Sequence, residues 1–233
     1  MKTKLITFLF FVTAISFAQE AINQFDANGK RHGIWKKNFD KTKQPRYEGQ
    51  FDHGKEIGTF KFYRLKSKKS VLSATKEFNA DNAISLVKFY ASTGKLISEG
   101  TMNGKLYIGK WTYYHNKTKA VMSTENYNDS GELNGEKLVF YKTGQIAERA
   151  SYVNGEIEGI SYWYTEKGIV IKEFNYEGDV LNGWSKYYDN EGVIQAEGTY
   201  RNGKKHGIWK YYTNGKLSKE TDFTIRSKNP KKQ

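Results

Sequence analysis

Polar and apolar positions alternate along many short segments of the chain. In Trp209-Lys210-Tyr211 two large apolar side chains flank a lysine, and the same order returns in Phe60-Lys61-Phe62 and Val87-Lys88-Phe89. Because successive side chains of a strand point to opposite faces, this period of two predicts β-strands with large apolar groups on one face and lysine on the other. The pattern favours an all-β fold over a helical bundle.

These strands recur at a regular interval. Counted from the aromatic or apolar residue before each turn-rich stretch, the repeats begin near residues 25, 51, 78, 102, 127, 152, 176 and 200. Each holds a turn such as Asn28-Gly29 or Asn202-Gly203, a strand, a second turn and a second strand; Asn-Gly between β-rich runs is a hairpin signal, since such turns need positive φ. The sequence therefore predicts eight β-hairpins over residues 25–222, forming an elongated single-layer antiparallel meander whose units contact mainly their neighbours.

Glycines and tryptophans at fixed places inside the repeats are expected to be structural. Glycine follows glutamate in Glu48-Gly49, Glu99-Gly100 and Glu197-Gly198, where it leaves room for a neighbouring ring to lie over the strand. The other structural positions are Gly33, Trp35, Gly58, Gly109, Trp111, Gly159, Gly183, Gly207 and Trp209. Ser85 stands where other repeats have glycine. The pattern also loosens from Arg64 to Asn82, where we expect a longer lysine-rich loop or a short helix.

Two segments carry a resemblance to a known family. NGKRHGIW (28–35) and YEGQF (47–51) resemble the MORN repeat, in the bacterial variant in which Gly-x-Trp-x-Tyr-Tyr precedes an Asn-Gly turn. The resemblance is strong in the first, fourth, seventh and eighth repeats and weak in the second and third. It implies two activities: some MORN proteins are associated with anionic lipid, and the YwqK-like group is catalogued as antitoxins of toxin–antitoxin systems.

The first residues have the layout of a secretory signal peptide. Lys2 and Lys4 precede an apolar run, and cleavage is expected after Ala18, leaving a linker over 19–24, the repeats and a basic tail over 223–233. The chain has no cysteine, so neither a lipid-modified cysteine nor a disulfide can form. We expect an exported protein, periplasmic or extracellular and not a lipoprotein, with a formal charge of +13 before cleavage.

Few residues of the sequence suggest a catalytic, cofactor-binding or metal-binding site. There is no cysteine nucleophile, no phosphate-binding glycine loop and no paired-histidine zinc spacing, and His53 and His115 lack a neighbouring Ser/Asp constellation in the sequence. We therefore expect no enzyme, no cofactor and no metal. The sharper candidate is a lysine stripe on the polar face: Lys36, Lys61, Lys88, Lys186 and Lys210. Because strands twist, only part of it would meet a flat membrane, so contact with anionic lipid is expected to be weak.

Three functions remain open from the sequence. The leading hypothesis is an exported, non-enzymatic repeat scaffold that binds a protein or an envelope component through its sheet face or its edges. The alternatives are an antitoxin or immunity protein, and a surface enzyme or ligand-binding module with its site between Arg64 and Asn82. Specific nucleic-acid binding is not expected, because no recognition motif is present. Free sheet edges would permit an edge-to-edge dimer.

Overall fold

The computed structural model describes residues 21–116 and 118–224, and in these residues it has eighteen strands and no helix. The strands are β1 (Gln24–Phe25), β2 (Arg31–Asn38), β3 (Pro45–Asp52), β4 (Lys55–Lys66), β5 (Lys69–Phe78), β6 (Ile84–Tyr90), β7 (Leu96–Asn103), β8 (Leu106–Tyr114), β9 (Val121–Tyr127), β10 (Gly135–Phe140), β11 (Ile146–Val153), β12 (Glu156–Ile157), β13 (Gly159–Tyr164), β14 (Val170–Glu177), β15 (Val180–Tyr188), β16 (Ile194–Arg201), β17 (Lys204–Thr213) and β18 (Lys216–Asp222). The expected signal peptide and its cleavage at Ala18 lie outside the described residues, as does the tail from residue 225.

The strands form one open antiparallel meander. Each long strand pairs with the next along the chain, and the two-residue strand β12 pairs with β11, which also pairs directly with β13. The substantial contacts between elements all join strands that are neighbours in this order. The predicted all-β meander, in which each hairpin packs on its neighbours, is confirmed. Among the described residues there is no helix of the length and apolarity needed to cross a membrane.

The expectation of an irregular loop or helix between Arg64 and Asn82 is wrong. β4 and β5 continue as a regular ladder as far as the pair Lys66–Lys69, which makes this the longest hairpin of the sheet. Its tip consists of Ser67 and Lys68, both with positive φ, at 46° and 64°. A two-residue turn with this geometry matches the twist of the strands. The sequence predicted a hairpin in this repeat but not its tight tip, because the turn contains neither asparagine nor glycine.

The predicted alternation of faces is confirmed. We call the two sides the inner face, which holds the rings, and the outer face, which holds the lysines. Trp209 is fully buried on the inner face, whereas Lys210 beside it is exposed. The buried apolar side chains are Phe51, Phe60, Ala74, Val87, Met102, Trp111, Ala150 and Trp209.

The second glycine of most repeats creates a β-bulge. Between the pairs Glu48–Lys61 and Gln50–Ile57, β3 has the single residue Gly49 whereas β4 has Gly58, Thr59 and Phe60. Gly58 has φ +62°, in the left-handed region that favours glycine. The same register shift occurs between β7 and β8, β14 and β15, and β16 and β17. Ser85 replaces this glycine in β6, and the pairing of β5 with β6 has no bulge.

The bulges let aromatic rings lie over glycines of the preceding strand. The chain has 22 glycines, and all but Gly49, Gly100 and Gly198 have positive φ. These three are each covered by a ring: a Cβ added to Gly198 would lie 2.5 Å from Cε2 of Trp209, and the rings of Phe60 and Trp111 cover the other two in the same way. Glycine is therefore required here for close approach and not for backbone conformation, as the Glu-Gly pattern predicted.

Where the preceding strand has a larger residue, the covering side chain is small. Ala150 of β11 stands where three other strands have glycine. The residue of β13 beside it, in the position that carries a ring elsewhere, is Ser161. Likewise Phe174 lies opposite Ser185, which is fully buried. The inner face is thus packed by matching large with small residues between successive hairpins.

The ring packing is not continuous along the sheet. On the inner face, rings contact one another from Phe25 to Phe78, from Phe89 to Tyr127 and from Trp163 to Tyr211. Between the last two groups the inner face has an ion pair, in which Lys137 Nζ lies 3.3 Å from Glu125 Oε1. Ring contacts between successive hairpins are therefore interrupted at two places, the third and the fifth hairpin.

Candidate functional site

The five lysines of the predicted stripe lie in one row across the outer face, and the repeat glutamates lie in the same row. Following the pairing from β2 to β7, the row reads Lys36, Glu48, Lys61, Thr75, Lys88 and Glu99. From β14 to β18 it reads Glu173, Lys186, Glu197, Lys210 and Glu220. The stripe is therefore a ladder in which lysine and glutamate alternate along both parts, and the two parts are joined by Thr112, Thr124, Leu138, Arg149 and Tyr162.

The charges of the ladder are close but exposed. Lys61 Nζ lies 3.5 Å from Glu48 Oε1, and Lys88 Nζ lies 3.3 Å from Glu99 Oε2. About half of each lysine side chain is accessible to solvent, so each pair is worth at most about 1 kcal/mol. The row has six positive and five negative side chains, so it gives no uninterrupted positive surface.

Each internal glutamate of the ladder also accepts a hydrogen bond from a tyrosine of the next hairpin. The tyrosine is the second member of the paired aromatics in each repeat. Tyr63 Oη donates to Glu48 at 2.6 Å, and Tyr212 Oη donates to Glu197 at 2.7 Å. Tyr114 donates to Glu99, and Tyr188 to Glu173 at 3.5 Å. The recurrent tyrosine thus connects one hairpin to the glutamate of the hairpin before it.

These hydrogen bonds change the acidity of both partners. Donation from the Tyr63 hydroxyl lowers the pKa of Glu48, and donation from Tyr114 lowers the pKa of Glu99. Burial together with the glutamate raises the pKa of Tyr63 to about 12, and the bond to Glu99 raises the pKa of Tyr114 to about 12. Tyr63 and Tyr114 therefore stay protonated at neutral pH and act as hydrogen-bond donors. Neither hydroxyl is ionised at that pH, as a catalytic base would have to be.

Exposed apolar side chains form a second row on the outer face. Ile160, Trp184 and Ile208 occupy the same place in β13, β15 and β17, directly before the buried inner-face residue of each strand. Their exposed fractions are 45%, 62% and 56%. We call these three residues the apolar row. Since they recur on alternate strands, neighbouring members stand about 10 Å apart.

A depression of about 390 Å³ lies near the other end of the sheet. Phe51, Phe60 and Phe62 line it together with Arg31 and Lys37. The guanidinium of Arg31 lies over the rings of Trp35 and Phe51, at 5.0 and 5.1 Å from their centroids. Arg31 therefore covers the rings of Trp35 and Phe51 through cation–π contacts.

The structure brings together histidines that the sequence left apart. His32 and His53 have ring centroids 4.8 Å apart, and with Asp52 they form the one group among residues 21–116 and 118–224 that could hold a metal ion. Asp26 is 2.5 Å from Nδ1 of His53. This contact lowers the pKa of Asp26 to about 2 and raises the pKa of His53. Sequence reasoning missed the cluster because His32 lies about 20 residues before the consecutive pair Asp52 and His53, and only the pairing of β2 with β3 brings them together.

One family matches parts of the chain. Residues 133–154, 181–202 and 205–224 match the MORN repeat variant. Three hairpins are thus similar to MORN repeats. The matching segments correspond to β10–β11, β15–β16 and β17–β18, so one MORN repeat corresponds to one hairpin of the meander. No curated protein matches the chain.

The predicted structural glycines and tryptophans have these places in the hairpins. Gly33, Gly58, Gly109, Gly159, Gly183 and Gly207 all have positive φ, and four of them, Gly58, Gly109, Gly183 and Gly207, lie in β-bulges. Trp35, Trp111 and Trp209 lie over the preceding strand, and their Nε1 atoms donate to the carbonyl oxygens of Gln24, Thr101 and Thr199. The sequence had no signal for these indole bonds, since their partners are ten or eleven residues earlier.

Proposed function

We propose that the protein is an exported, non-enzymatic repeat scaffold that binds a protein partner of the cell envelope through the outer face of its last three full hairpins. The observation that carries the proposal is the apolar row, in which Trp184 is 62% exposed between Ile160 and Ile208. Tryptophan is enriched among the residues that dominate binding energy in protein interfaces. A tryptophan this exposed has little role in stabilising the sheet itself.

The surroundings of the apolar row support a protein partner over a lipid surface. The adjacent ladder alternates Glu173, Lys186, Glu197 and Lys210, so its field changes sign from strand to strand. Anionic lipid is attracted by an excess of positive charge, which such a ladder does not give. A protein surface with its own alternating charges can match the ladder and set the register of binding.

Export and a non-enzymatic role belong to the same proposal. The support for export is the charged and apolar pattern of residues 1–18, and the absence of cysteine from the whole chain rules out a lipid-modified cysteine. The support for a scaffold is an extended array of MORN-like hairpins with exposed faces. Mass spectrometry of the protein purified from its own cells should give a chain that begins at Gln19; a chain that retains residues 1–18 would contradict export.

The binding face is tested by capture from envelope extracts. The triple variant Ile160→Ser, Trp184→Ser, Ile208→Ser should lose the partner that the unchanged protein captures. In a matched control variant, Leu106 and Val153 are likewise replaced by serine. These two side chains are exposed to a similar extent, at 46% and 51%, but they lie near hairpin tips. Circular dichroism confirms that both variants are folded. Equal capture by the triple variant would refute the proposed face, and capture of a secreted toxin would point to an immunity role for the same face.

A further inference from the structure

A cluster of histidine and aspartate lies at the tip of the β3–β4 hairpin. Asp52 ends β3, His53 begins the turn, and His32 lies on the neighbouring strand β2. All three side chains are exposed, at 47% for His32, 55% for Asp52 and 62% for His53. The cluster is on a part of the sheet that the proposed function does not use.

The ligand atoms are already close to the spacing of a metal site. His32 Nδ1 lies 3.4 Å from Asp52 Oδ1, and His53 Nε2 lies 3.8 Å from the same oxygen. One ligand atom from each residue can be chosen so that all three lie within 4.8 Å of one another. In a tetrahedral zinc site with bonds of about 2.0–2.1 Å, ligand atoms stand about 3.3 Å apart. Small side-chain rotations would therefore bring the three atoms onto one ion.

A fourth residue fixes the orientation of His53. Asp26 Oδ1 accepts hydrogen bonds from the backbone N–H groups of Asn28 and Lys30, at 2.8 and 2.9 Å, so this carboxylate is held in place. Its other oxygen accepts from Nδ1 of His53 at 2.5 Å. With the proton on Nδ1, the lone pair is on Nε2, the atom that faces Asp52. In metal sites, the ring nitrogen of a histidine that does not bind the metal usually donates its proton to a carboxylate or a similar acceptor, which fixes the tautomer and the orientation of the ring.

The turn itself departs from the other repeats in a way that serves the cluster. His53 has φ +46°, in the left-handed region, at a tip where Asn154 and Asn202 stand in other hairpins. Asparagine tolerates this conformation better than histidine does, and strained residues of this kind gather at functional sites. Turn formation alone therefore does not account for the histidine at this tip.

We propose that His32, Asp52 and His53 bind a divalent transition-metal ion of the zinc class, with Asp26 as the positioning residue for His53. Two imidazole nitrogens and one carboxylate oxygen suit Zn²⁺, Ni²⁺ or Cu²⁺, whereas Ca²⁺ and Mg²⁺ take oxygen ligands. Asp26 and Asp52 together supply the negative charge that offsets the cation. Three protein ligands leave a fourth position open to water or to a group from another molecule. The proposal is independent of the binding face described above.

The chain offers a clean spectroscopic test, because it has four histidines and no cysteine. The protein is purified without a histidine tag, and Zn²⁺ is added while the ring resonances of the histidines are followed by NMR. His32 and His53 should shift together with a saturating dose response, whereas His115 and His206 should not move. Equal shifts of all four rings, or no shift of any ring, would overturn the site.

Calorimetry of variants with Zn²⁺ gives the second measurement. His53→Ala should weaken binding at least tenfold because it removes a ligand, and Asp26→Asn should weaken it about 10- to 100-fold. His206→Ala is the matched control, since His206 occupies the place of His32 in the last repeat and pairs with Thr199. A loss of affinity in His206→Ala as large as in His53→Ala would refute the assignment. If a variant fails to fold, the ring spectrum of the unchanged protein decides.

Discussion

The contact between Gly198 and Trp209 gives the most direct test of how the hairpins are held together. Gly198→Ala adds one methyl group whose carbon would lie 2.5 Å from Cε2 and 2.6 Å from Cγ of the indole. Carbon atoms that do not share a bond prefer separations of about 3.5–4.0 Å, so the ring must move by about 1 Å or leave its place. Gly198 does not have positive φ, and alanine therefore causes no backbone strain there.

The expected loss of stability follows from the two ways in which the ring can respond. A shifted but still buried ring corresponds to overpacking, which costs about 1–3 kcal/mol. A ring forced into solvent approaches the cost of removing a buried tryptophan, about 3–5 kcal/mol. Because Trp209 is fully buried and also bonded through Nε1 to Thr199 at 3.0 Å, we expect Gly198→Ala to lower the free energy of unfolding by about 2–4 kcal/mol.

The assay is urea unfolding followed by circular dichroism, with a double-mutant cycle as its control. The double variant Gly198→Ala, Trp209→Ser has a natural counterpart in the chain, since Ala150 and Ser161 occupy the equivalent places two hairpins earlier. In the Trp209→Ser background, adding Gly198→Ala should change the stability by less than about 0.5 kcal/mol, because no ring remains to clash. An equal cost in both backgrounds, or no cost in the unchanged protein, would refute the packing argument.

Three further predictions concern the tyrosine–glutamate bonds and the buried serines. Tyr63→Phe should lower the free energy of unfolding by about 0.5–1.5 kcal/mol and raise the pKa of Glu48 towards its ordinary value, as measured by NMR titration; an unchanged pKa would contradict the bond. Tyr63 and Tyr114 keep their protons to about pH 12 in the folded state, whereas unfolded tyrosine ionises near pH 10, so the stability they add should be complete below about pH 10 and disappear towards pH 12. Phenolate absorbance and circular dichroism should therefore change together in that range, and ionisation of all tyrosines near pH 10 in a folded protein would argue against it. Ser185 is fully buried with no hydrogen-bond partner for Oγ among the described residues, so Ser185→Ala should stabilise the protein by about 1 kcal/mol in urea unfolding; a loss of stability would show that the hydroxyl is satisfied.

The sequence predicts the repeat and its two faces because both depend on short-range order. The alternation in Trp209-Lys210-Tyr211 follows from strand geometry alone. The space above Gly198 could be predicted as well, because the Glu-Gly pair recurs at one place in the repeat, just before the strand that carries the ring. The hairpin of the second repeat was expected, but its length and its tight tip could not be predicted, because Ser67-Lys68 carries no turn signal even though the backbone adopts the usual turn there.

Contacts between distant residues escaped prediction for a physical reason. The bond from Tyr63 to Glu48 depends on which strands pair and in what register, and bulges shift that register by two residues in every repeat that contains one. The cluster of His32, Asp52 and His53 depends on the same register at one hairpin tip. A sequence shows the members of such groups, but only the pairing of the strands shows that they meet.

The matching of large with small side chains has a consequence for how the chain finds its order. Repeat proteins are prone to pair the wrong neighbours during folding, since their units resemble one another. Here a displacement by one whole unit would set Phe174 beneath Trp209, and two bulky groups would compete for the room that Gly198 leaves for one. Neighbouring hairpins are therefore not interchangeable, and the succession of units is specified at their junctions.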